Sequence, residues 1–438
     1  MKRLALFYAS ILTLILPATA YASLYFPHIT SDGTWDTEIA LINTSANQTL
    51  NGTLNAYSNT GQLIDTISIT LSPHARRQII VSQELTNHTS IDYLIFSSDI
   101  DSVKGYSKLY KEGIYRVAIP AASKINTSDI YISHIASDND WWTNISLLNT
   151  TDTEKIITAT FSTGEIRYIT IPARGSNTFT IRDLFGGPKE DIKSAVITNA
   201  MGIVGVELFG STEESAYNYL SGILIKDSTT TTIYYPHIDS NYIDSSSYWW
   251  TGIVAYSPPE YSSNIAVSAY GEDGNLLETA YPPTIAANDK YIGSVRDLEL
   301  PYGTAWLKID SDNPITGFEL FGTQNGNQLG GYTGVNIARR EGIFAKIENN
   351  GWTGIAFVNI GESEASITLT AYDNYGALIA TQPITLASFA KQVEQPMNIF
   401  TQDISLATYI TYSSDRDIVA FQLNGSSDNM MLDGLEGM

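Results

Sequence analysis

One sequence pattern occurs four times along this chain, and it constrains the fold more than any other feature. Each copy has a Trp-Thr strand pattern, a hairpin pattern with a turn glycine, and a closing apolar stretch of the type Ile-x-Gly-x-x-Leu-x-Gly. The Trp-Thr stretches begin at Trp35, Trp141, Trp249 and Gly351, which gives a period of about 105 residues. A fixed period of this kind indicates one structural unit copied in tandem, long enough to bury a small core of its own.

The local patterns within each copy predict strands. Short apolar-polar alternations are spaced about ten residues apart and separated by turn residues, with no sustained helical period. We therefore predict an all-β fold of four tandem antiparallel β-sandwich domains of about 105 residues each. A β-propeller is the alternative, but its blades are about half this length. The predicted segments are a signal peptide at 1–22 and repeats at 23–125, 126–229, 230–339 and 340–438.

The connections between the predicted repeats are short. They fall at 123–128, 226–232 and 338–341. Short connections predict a semi-rigid rod or a compact arc of domains.

The first residues have the pattern of a secretory signal. Lys2 and Arg3 precede an apolar run over residues 4–16, and Ala20-Tyr21-Ala22 is a small-x-small cleavage pattern. The run is shorter than the ~20 residues a membrane-spanning helix needs, so we expect cleavage and no membrane span afterwards. The chain has no cysteine. An exported chain without disulfides fits a bacterial extracellular or cell-surface protein.

The charge balance excludes one class of partner. Removing Lys2 and Arg3 with the signal leaves 22 basic against 46 acidic residues, a net charge of −24. Binding to nucleic acid or to an anionic membrane through charge is therefore not expected.

Three tryptophans at equivalent places are the candidate ligand-binding residues. Residues two apart share a face of a strand, so Trp35 and Trp141 are expected on the core face and Trp142, Trp250 and Trp352 on the other. Repeat 1 has Asp36 at that second position, which indicates partial exposure. Flat indole faces there would stack on sugar rings. The competing interpretation is that each packs under a loop or against the neighbouring domain, with repeat 1 differing because no domain precedes it.

The opening motifs carry a recurrent histidine. His28, His134 and His237 occupy equivalent positions, and Lys346 replaces the fourth. One residue in each repeat cannot converge on one metal ion, so we expect these rings to bond nearby backbone or pack under the tryptophan.

Paired aspartates raise the question of calcium. Asp138 and Asp140 are the candidate ligands, but calcium takes six to eight oxygens and a full calcium-loop pattern is absent. We expect no cofactor, and calcium at these two residues is the alternative that stays open.

Catalytic signatures are missing from the sequence. The chain contains no nucleophile elbow, zinc-protease helix motif, phosphate loop or dinucleotide fingerprint. We therefore expect a non-enzyme, and an extracellular hydrolase with an unrecognised site is the remaining alternative.

The four motifs together resemble uncharacterised tandem-repeat regions of exported bacterial proteins, over nearly the whole mature chain. The resemblance implies Ig-like sandwiches in a secreted or cell-surface setting and no catalytic residue. The predicted function is non-enzymatic adhesion, scaffolding or spacing, with an unidentified extracellular protein or glycan surface as partner. A carbohydrate-binding array using Trp142, Trp250 and Trp352 is the alternative. Departures from the pattern are Lys346, Ser133, Ala345, and the polar closing strand of repeat 1 with Lys104 and Lys108.

Overall fold

The computed structural model describes residues 22–239, 249–324 and 326–438. The predicted signal peptide therefore lies outside the described residues, apart from Ala22. The described chain consists of antiparallel sheets with a few single helical turns, which confirms the predicted all-β class. No helix in the described ranges is long and apolar enough to cross a membrane.

Repeat 1 is built from eight strands in two four-stranded sheets, ordered β1-β6-β3-β4 and β5-β2-β7-β8. The two sheets enclose one apolar core. The strands are β1 (Ala22–Phe26), β2 (Asp36–Asn43), β3 (Leu50–Tyr57), β4 (Leu63–Leu71), β5 (Arg76–Ile80), β6 (Tyr93–Ser98), β7 (Val103–Lys111) and β8 (Tyr115–Pro120). A short helix, α1 (Val81–Glu84), follows β5, and a 3-10 turn spans His88–Ser90.

Repeat 2 has the same arrangement, with sheets β12-β11-β14-β9 and β13-β10-β15-β16. Its strands are β9 (Ile130–Ile132), β10 (Trp141–Asn149), β11 (Lys155–Phe161), β12 (Ile166–Ile171), β13 (Ser176–Thr180), β14 (Ala195–Thr198), β15 (Ile203–Ser211) and β16 (Leu220–Ile225). Helix α2 (Ile181–Phe185) begins with a capping box in which Thr180 and Asp183 bond each other's backbone.

Repeats 3 and 4 differ in one respect, because a single 18-residue strand contributes to both sheets of each repeat. The strands of repeat 3 are β17 (Thr230–Tyr235), β18 (Trp249–Ser257), β19 (Ile265–Tyr270), β20 (Leu276–Ala280), β21 (Asp289–Ser294), β22 (Trp306–Thr323) and β23 (Leu329–Thr333). Those of repeat 4 are β24 (Arg339–Phe344), β25 (Gly351–Asn359), β26 (Ala365–Tyr372), β27 (Leu378–Leu386), β28 (Lys391–Glu394), β29 (Tyr409–Ser426) and β30 (Leu432–Glu436), with helix α3 (Pro396–Ile399).

Two residues of the repeated Trp-Thr motif form side-chain hydrogen bonds that fix the start and end of the strand. At the start, Thr37 Oγ1 donates to Thr30 O at 2.8 Å and accepts from Thr30 N at 3.1 Å. Thr143 makes the same reciprocal pair with Ala136. At the end, the Asn43 amide donates to three carbonyls of the following loop and hairpin. Asn149 and Asn359 do the same, which explains why the motif keeps this amide.

The four repeats close into a ring. The last strand of each repeat packs against the last strand of the next, and β30 of repeat 4 packs against β8 of repeat 1. Only about 10 Å³ of open space remains on the axis between the four strands. The prediction of a semi-rigid rod or a compact arc is therefore wrong, because repeat 4 meets repeat 1 and the arrangement closes.

Candidate binding site

Each joint between consecutive repeats is made in the same way. In each repeat, the turn before the fifth strand contains one residue whose backbone lies in the left-handed region. The carbonyl of that residue accepts a hydrogen bond from a side chain of the preceding repeat. The bonds are Tyr93 to Arg174, Ser194 to Asn288 at 2.9 Å, Trp306 to Phe389 at 3.0 Å and Tyr409 to His74 at 2.6 Å. The last bond joins repeat 4 to repeat 1, so the closing joint uses the same device as the other three.

The hairpin glycines take part in three of these joints. A Cβ on Gly274 would lie 2.3 Å from the Ser388 carbonyl of repeat 4, and one on Gly376 would lie 2.1 Å from the Pro73 carbonyl of repeat 1. Both glycines also have positive φ. The turn glycine thus allows the hairpin to form and the next repeat to approach closely.

All the motif tryptophans lie at joints rather than inside the cores of single repeats. Trp35 and Trp142 meet at the joint of repeats 1 and 2, beside Leu109 and Leu208. Trp141 and Trp250 meet at the next joint, where Trp250 lies edge-on to Tyr219. The expectation that Trp35 and Trp141 face a core is wrong.

The explanation given for the difference in repeat 1 is also wrong, because repeat 4 precedes repeat 1 in the ring. At that joint the two tryptophan positions are Gly351 and Asp36. Acidic and basic side chains fill the space instead. Glu38 lies 2.9 Å from Lys108 and 3.3 Å from Lys346, all at most 10% exposed. Burial alone would raise the pKa of Glu38, but the two lysines outweigh it and lower this pKa to about 2.

A cavity of about 400 Å³ opens at the joint of repeats 3 and 4. Trp249 from repeat 3 and Trp352 from repeat 4 line it, with ring centroids 6.5 Å apart and planes at 90°. His237, Asp239 and Gln395 supply polar groups to the same wall. An apolar, aromatic cavity with a few polar groups is the usual character of a small-molecule binding site, and 400 Å³ lies in the usual range.

The sequence shows why this joint differs from its neighbours. Tyr115 stacks on Trp35 with centroids 5.6 Å apart, and Tyr219 stacks on Trp141 at the same distance. In the sheet register the corresponding residue of repeat 3 is Gln328, whose amide donates to Met431 O at 3.3 Å. Repeat 3 therefore lacks a tyrosine at this position, next to the joint where the cavity lies.

Buried titratable groups next to the cavity determine the protonation state of His237, which lines its wall. His237 Nδ1 lies 2.8 Å from Lys391 Nζ, which also donates to Ala305 O at 2.8 Å. Burial and the neighbouring Lys391 lower the pKa of His237 well below its usual value, so the ring is neutral. Because Nδ1 accepts from the lysine, Nε2 carries the ring proton and is a donor. Burial also lowers the pKa of Lys391 to about 8, and raises the pKa of the neighbouring Glu319 well above its usual value.

We expected the three equivalent histidines to bond nearby backbone or to pack under the tryptophan. Two of them bond a side chain of another repeat instead. His134 Nδ1 and His237 Nδ1 bond a lysine of the following repeat, at 2.7 Å from Lys290 and 2.8 Å from Lys391. His28 stays local, with Nε2 3.1 Å from Thr30 Oγ1. The alignment of the repeats shows that these histidines are equivalent. Nothing local in the sequence identifies a lysine 154 or 156 residues away as their partner.

The predicted acidic pair forms a turn. Asp138 Oδ1 accepts from the backbone of Asp140 and of Trp141, both at 2.8 Å, as Asp32 Oδ1 does from Thr34 and Trp35 in repeat 1. Within the described ranges no three acidic, histidine or cysteine side chains converge as metal ligands. Calcium at Asp138 and Asp140 stays a prediction.

Comparison with known proteins adds little. No protein-family model matches the chain, and no curated protein does. Among solved structures, one similar chain is the tetra-tandem repeat in the extending region of a large adhesion protein, at 15% identity and a TM-score of 0.11, covering 90% of this chain and 92% of that one. Another is β-glucuronidase 2 of Bacteroides uniformis, covalently bound to cyclophellitol-6-carboxylate aziridine, at 10% identity and a TM-score of 0.13, covering 53% of this chain and 26% of that one. Scores this low support no conclusion about fold or function.

Proposed function

We propose that this protein is a non-enzymatic, exported adhesion module that binds a glycan ring in the cavity between repeats 3 and 4. The observation that carries the proposal is the pairing of Trp249 and Trp352 across that cavity, with His237, Asp239 and Gln395 beside them. Aromatic walls suit the C–H faces of a sugar ring, and the polar groups suit its hydroxyls. We propose one glycan site rather than an array of three at Trp142, Trp250 and Trp352. Trp142 and Trp250 lie at joints that tyrosine and leucine side chains fill.

Binding rather than cleavage is favoured by the acidic groups of the cavity. Glycoside hydrolases of the usual kind need two carboxyl groups flanking the bond. Among the described residues that line the cavity, Asp239 is the one carboxylate.

The setting and the finer fold are part of the same proposal. The signal pattern at residues 1–22 and the net charge of −24 support export to the cell surface or the medium. Two sheets around one core in each repeat support the assignment to Ig-like sandwiches. Ring closure favours a compact scaffold over a spacer, because a ring does not extend reach.

A glycan-array screen followed by calorimetry tests this function. We expect Trp249→Ala and Trp352→Ala to lose at least tenfold in affinity for the retained glycan. Trp141→Ala, which removes the equivalent indole at the filled joint of repeats 2 and 3, is the matched control and should keep binding. Gln395→Ala tests the polar wall without removing a large side chain.

Three results would overturn the proposal. One is an array with no retained glycan. Another is binding that survives both cavity tryptophan substitutions. The third is release of reducing sugar from the bound glycan, which would make the protein a hydrolase.

A further inference from the structure

A second cavity lies at one end of the central axis of the ring. It has a volume of about 320 Å³ and is lined by residues of all four repeats. The three connections between repeats all border it. This second cavity, the axial mouth, is separate from the cavity at the joint of repeats 3 and 4, and no residue lines both.

Each connection supplies one cation to the mouth. These are Lys124, Lys226 and Arg339. Within the described chain none of the three forms an ion pair within 4 Å, whereas other cations such as Arg340 do, at 2.9 Å from Asp417. Three cations at one concave place are unexpected in a protein with only 22 basic residues after signal removal.

Two carboxylates also line the mouth, so they offset two of the three positive charges and leave a net charge of +1 on the lining. Asp227 is held by the first connection, since its Oδ2 accepts from Thr127 N at 2.8 Å and from Thr127 Oγ1 at 3.1 Å. Glu436 is the second carboxylate on the lining. A fourth cation, Lys104, lies close by: burial lowers its pKa, Arg339 and Lys124 lower it further, and Glu436 and Glu341 oppose them. Lys124 and Arg339 are thus near enough to Lys104 to act on it, as Glu436 is.

We propose that the axial mouth binds an oxyanion, namely the carboxylate or phosphate group of an extracellular small molecule or chain end. Two lysine ammonium groups and one planar guanidinium suit an oxyanion with several acceptor oxygens. An anion there would balance the net positive charge of the lining, to which Lys124, Lys226 and Arg339 contribute. The surrounding charge of −24 opposes the approach of a long polyanion, so a single acidic group is the ligand class that fits.

Calorimetric titration of the mature protein at low ionic strength tests the proposal, with inorganic phosphate and citrate as separate probes. We expect one site for at least one probe, with affinity that falls as salt is added. The triple variant Lys124→Gln/Lys226→Gln/Arg339→Gln should weaken binding at least tenfold. Lys193→Gln, an exposed lysine away from the mouth, is the control and should bind as the wild type does.

The two probes separate the two oxyanion classes, since tighter binding of citrate indicates carboxylate and tighter binding of phosphate indicates phosphate. Lys124→Gln alone changes one exposed side chain and should give a partial loss if the triple variant fails to fold. Absence of binding by both probes would overturn the proposal, as would unchanged affinity in the triple variant. The outcome is independent of glycan binding, because the tryptophan cavity is untouched.

Discussion

Trp352 lies directly across the sheet from Gly425, and its indole occupies the space that a side chain at Gly425 would need. A Cβ on Gly425 would be 2.1 Å from two indole atoms. Trp250 and Gly322 form the same pair, with a Cβ distance of 2.2 Å, and Trp142 stands opposite Gly210. In repeat 1 the pair is Asp36 and Tyr110. The closing glycine of the motif is therefore the partner of the second tryptophan.

Gly425→Ala should displace the Trp352 indole and destabilise the protein by about 1–3 kcal/mol, the usual cost of overpacking. Urea unfolding with tryptophan fluorescence measures both effects. Gly354→Ala is the control, because its Cβ would meet Trp352 at 3.6 Å, an ordinary contact. Equal stability of the two variants would contradict the cross-strand pairing.

Tyr409→Phe tests the bond that closes the ring. The Tyr409 hydroxyl donates to His74 O at 2.6 Å, and its loss leaves a carbonyl without this donor. We expect a loss of about 1 kcal/mol in the free energy of unfolding. Tyr93→Phe removes the equivalent bond between repeats 1 and 2 and should cost a similar amount. If Tyr93→Phe destabilises and Tyr409→Phe does not, repeat 4 does not dock on repeat 1.

Glu38→Gln should be strongly destabilising, by about 3 kcal/mol or more, because it leaves Lys108 and Lys346 buried without their shared carboxylate. Chemical denaturation at neutral pH measures this. Glu84→Gln breaks the half-exposed pair of Arg77 and Glu84 and should cost less than about 1 kcal/mol. Similar small effects from both substitutions would show that the ionic joint is solvated.

The low pKa of Glu38 also makes the free energy of unfolding of the wild type sensitive to acid. Its folded value of about 2 lies below the ordinary 4.5, so the folded state binds fewer protons between these values. This stability is fully present above about pH 4.5 and is lost as the pH falls through about 2. Glu38→Gln should flatten the stability curve in that window, and an unchanged slope would contradict the assignment.

Lys290 should make the free energy of unfolding depend on pH in the neutral to alkaline range. Burial lowers its pKa to about 7 from 10.5, against the opposing effects of Glu207 and Asp289. The folded state then binds fewer protons between about pH 7 and 10.5, so stability rises with pH there and is lost as the pH falls through 7. Between pH 7 and 9 the wild type should gain roughly 2 kcal/mol relative to Lys290→Met. Parallel stability curves for the two proteins would exclude a buried neutral lysine.

The repeat pattern predicted much of the local structure from sequence. The strand class and the hairpin glycines follow from alternation and turn chemistry within about 20 residues. The half-exposed position of Trp142, Trp250 and Trp352 follows from Asp36 at the same place in repeat 1, whereas alternation placed Trp35 and Trp141 wrongly. These signals are local, so a short window of sequence contains them.

Ring closure and the binding cavity depend on contacts that no local pattern encodes. Lys346 looked like an isolated departure from the repeat, and its partner Glu38 is 308 residues away. Only the fold shows that the departures Asp36, Lys108 and Lys346 occupy one joint, together with Glu38. His237, Asp239 and Gln395 were likewise missed as a site, because they come together across two repeats.

Small-angle X-ray scattering of the mature protein tests ring closure most directly. A compact chain of this size should have a radius of gyration of roughly 22 Å, whereas four such domains in a row should give roughly 40 Å. The ring predicts a value near the first figure and a single compact distance distribution. A value near the second would contradict the contact between Tyr409 and His74 and, with it, the closed arrangement of the four repeats.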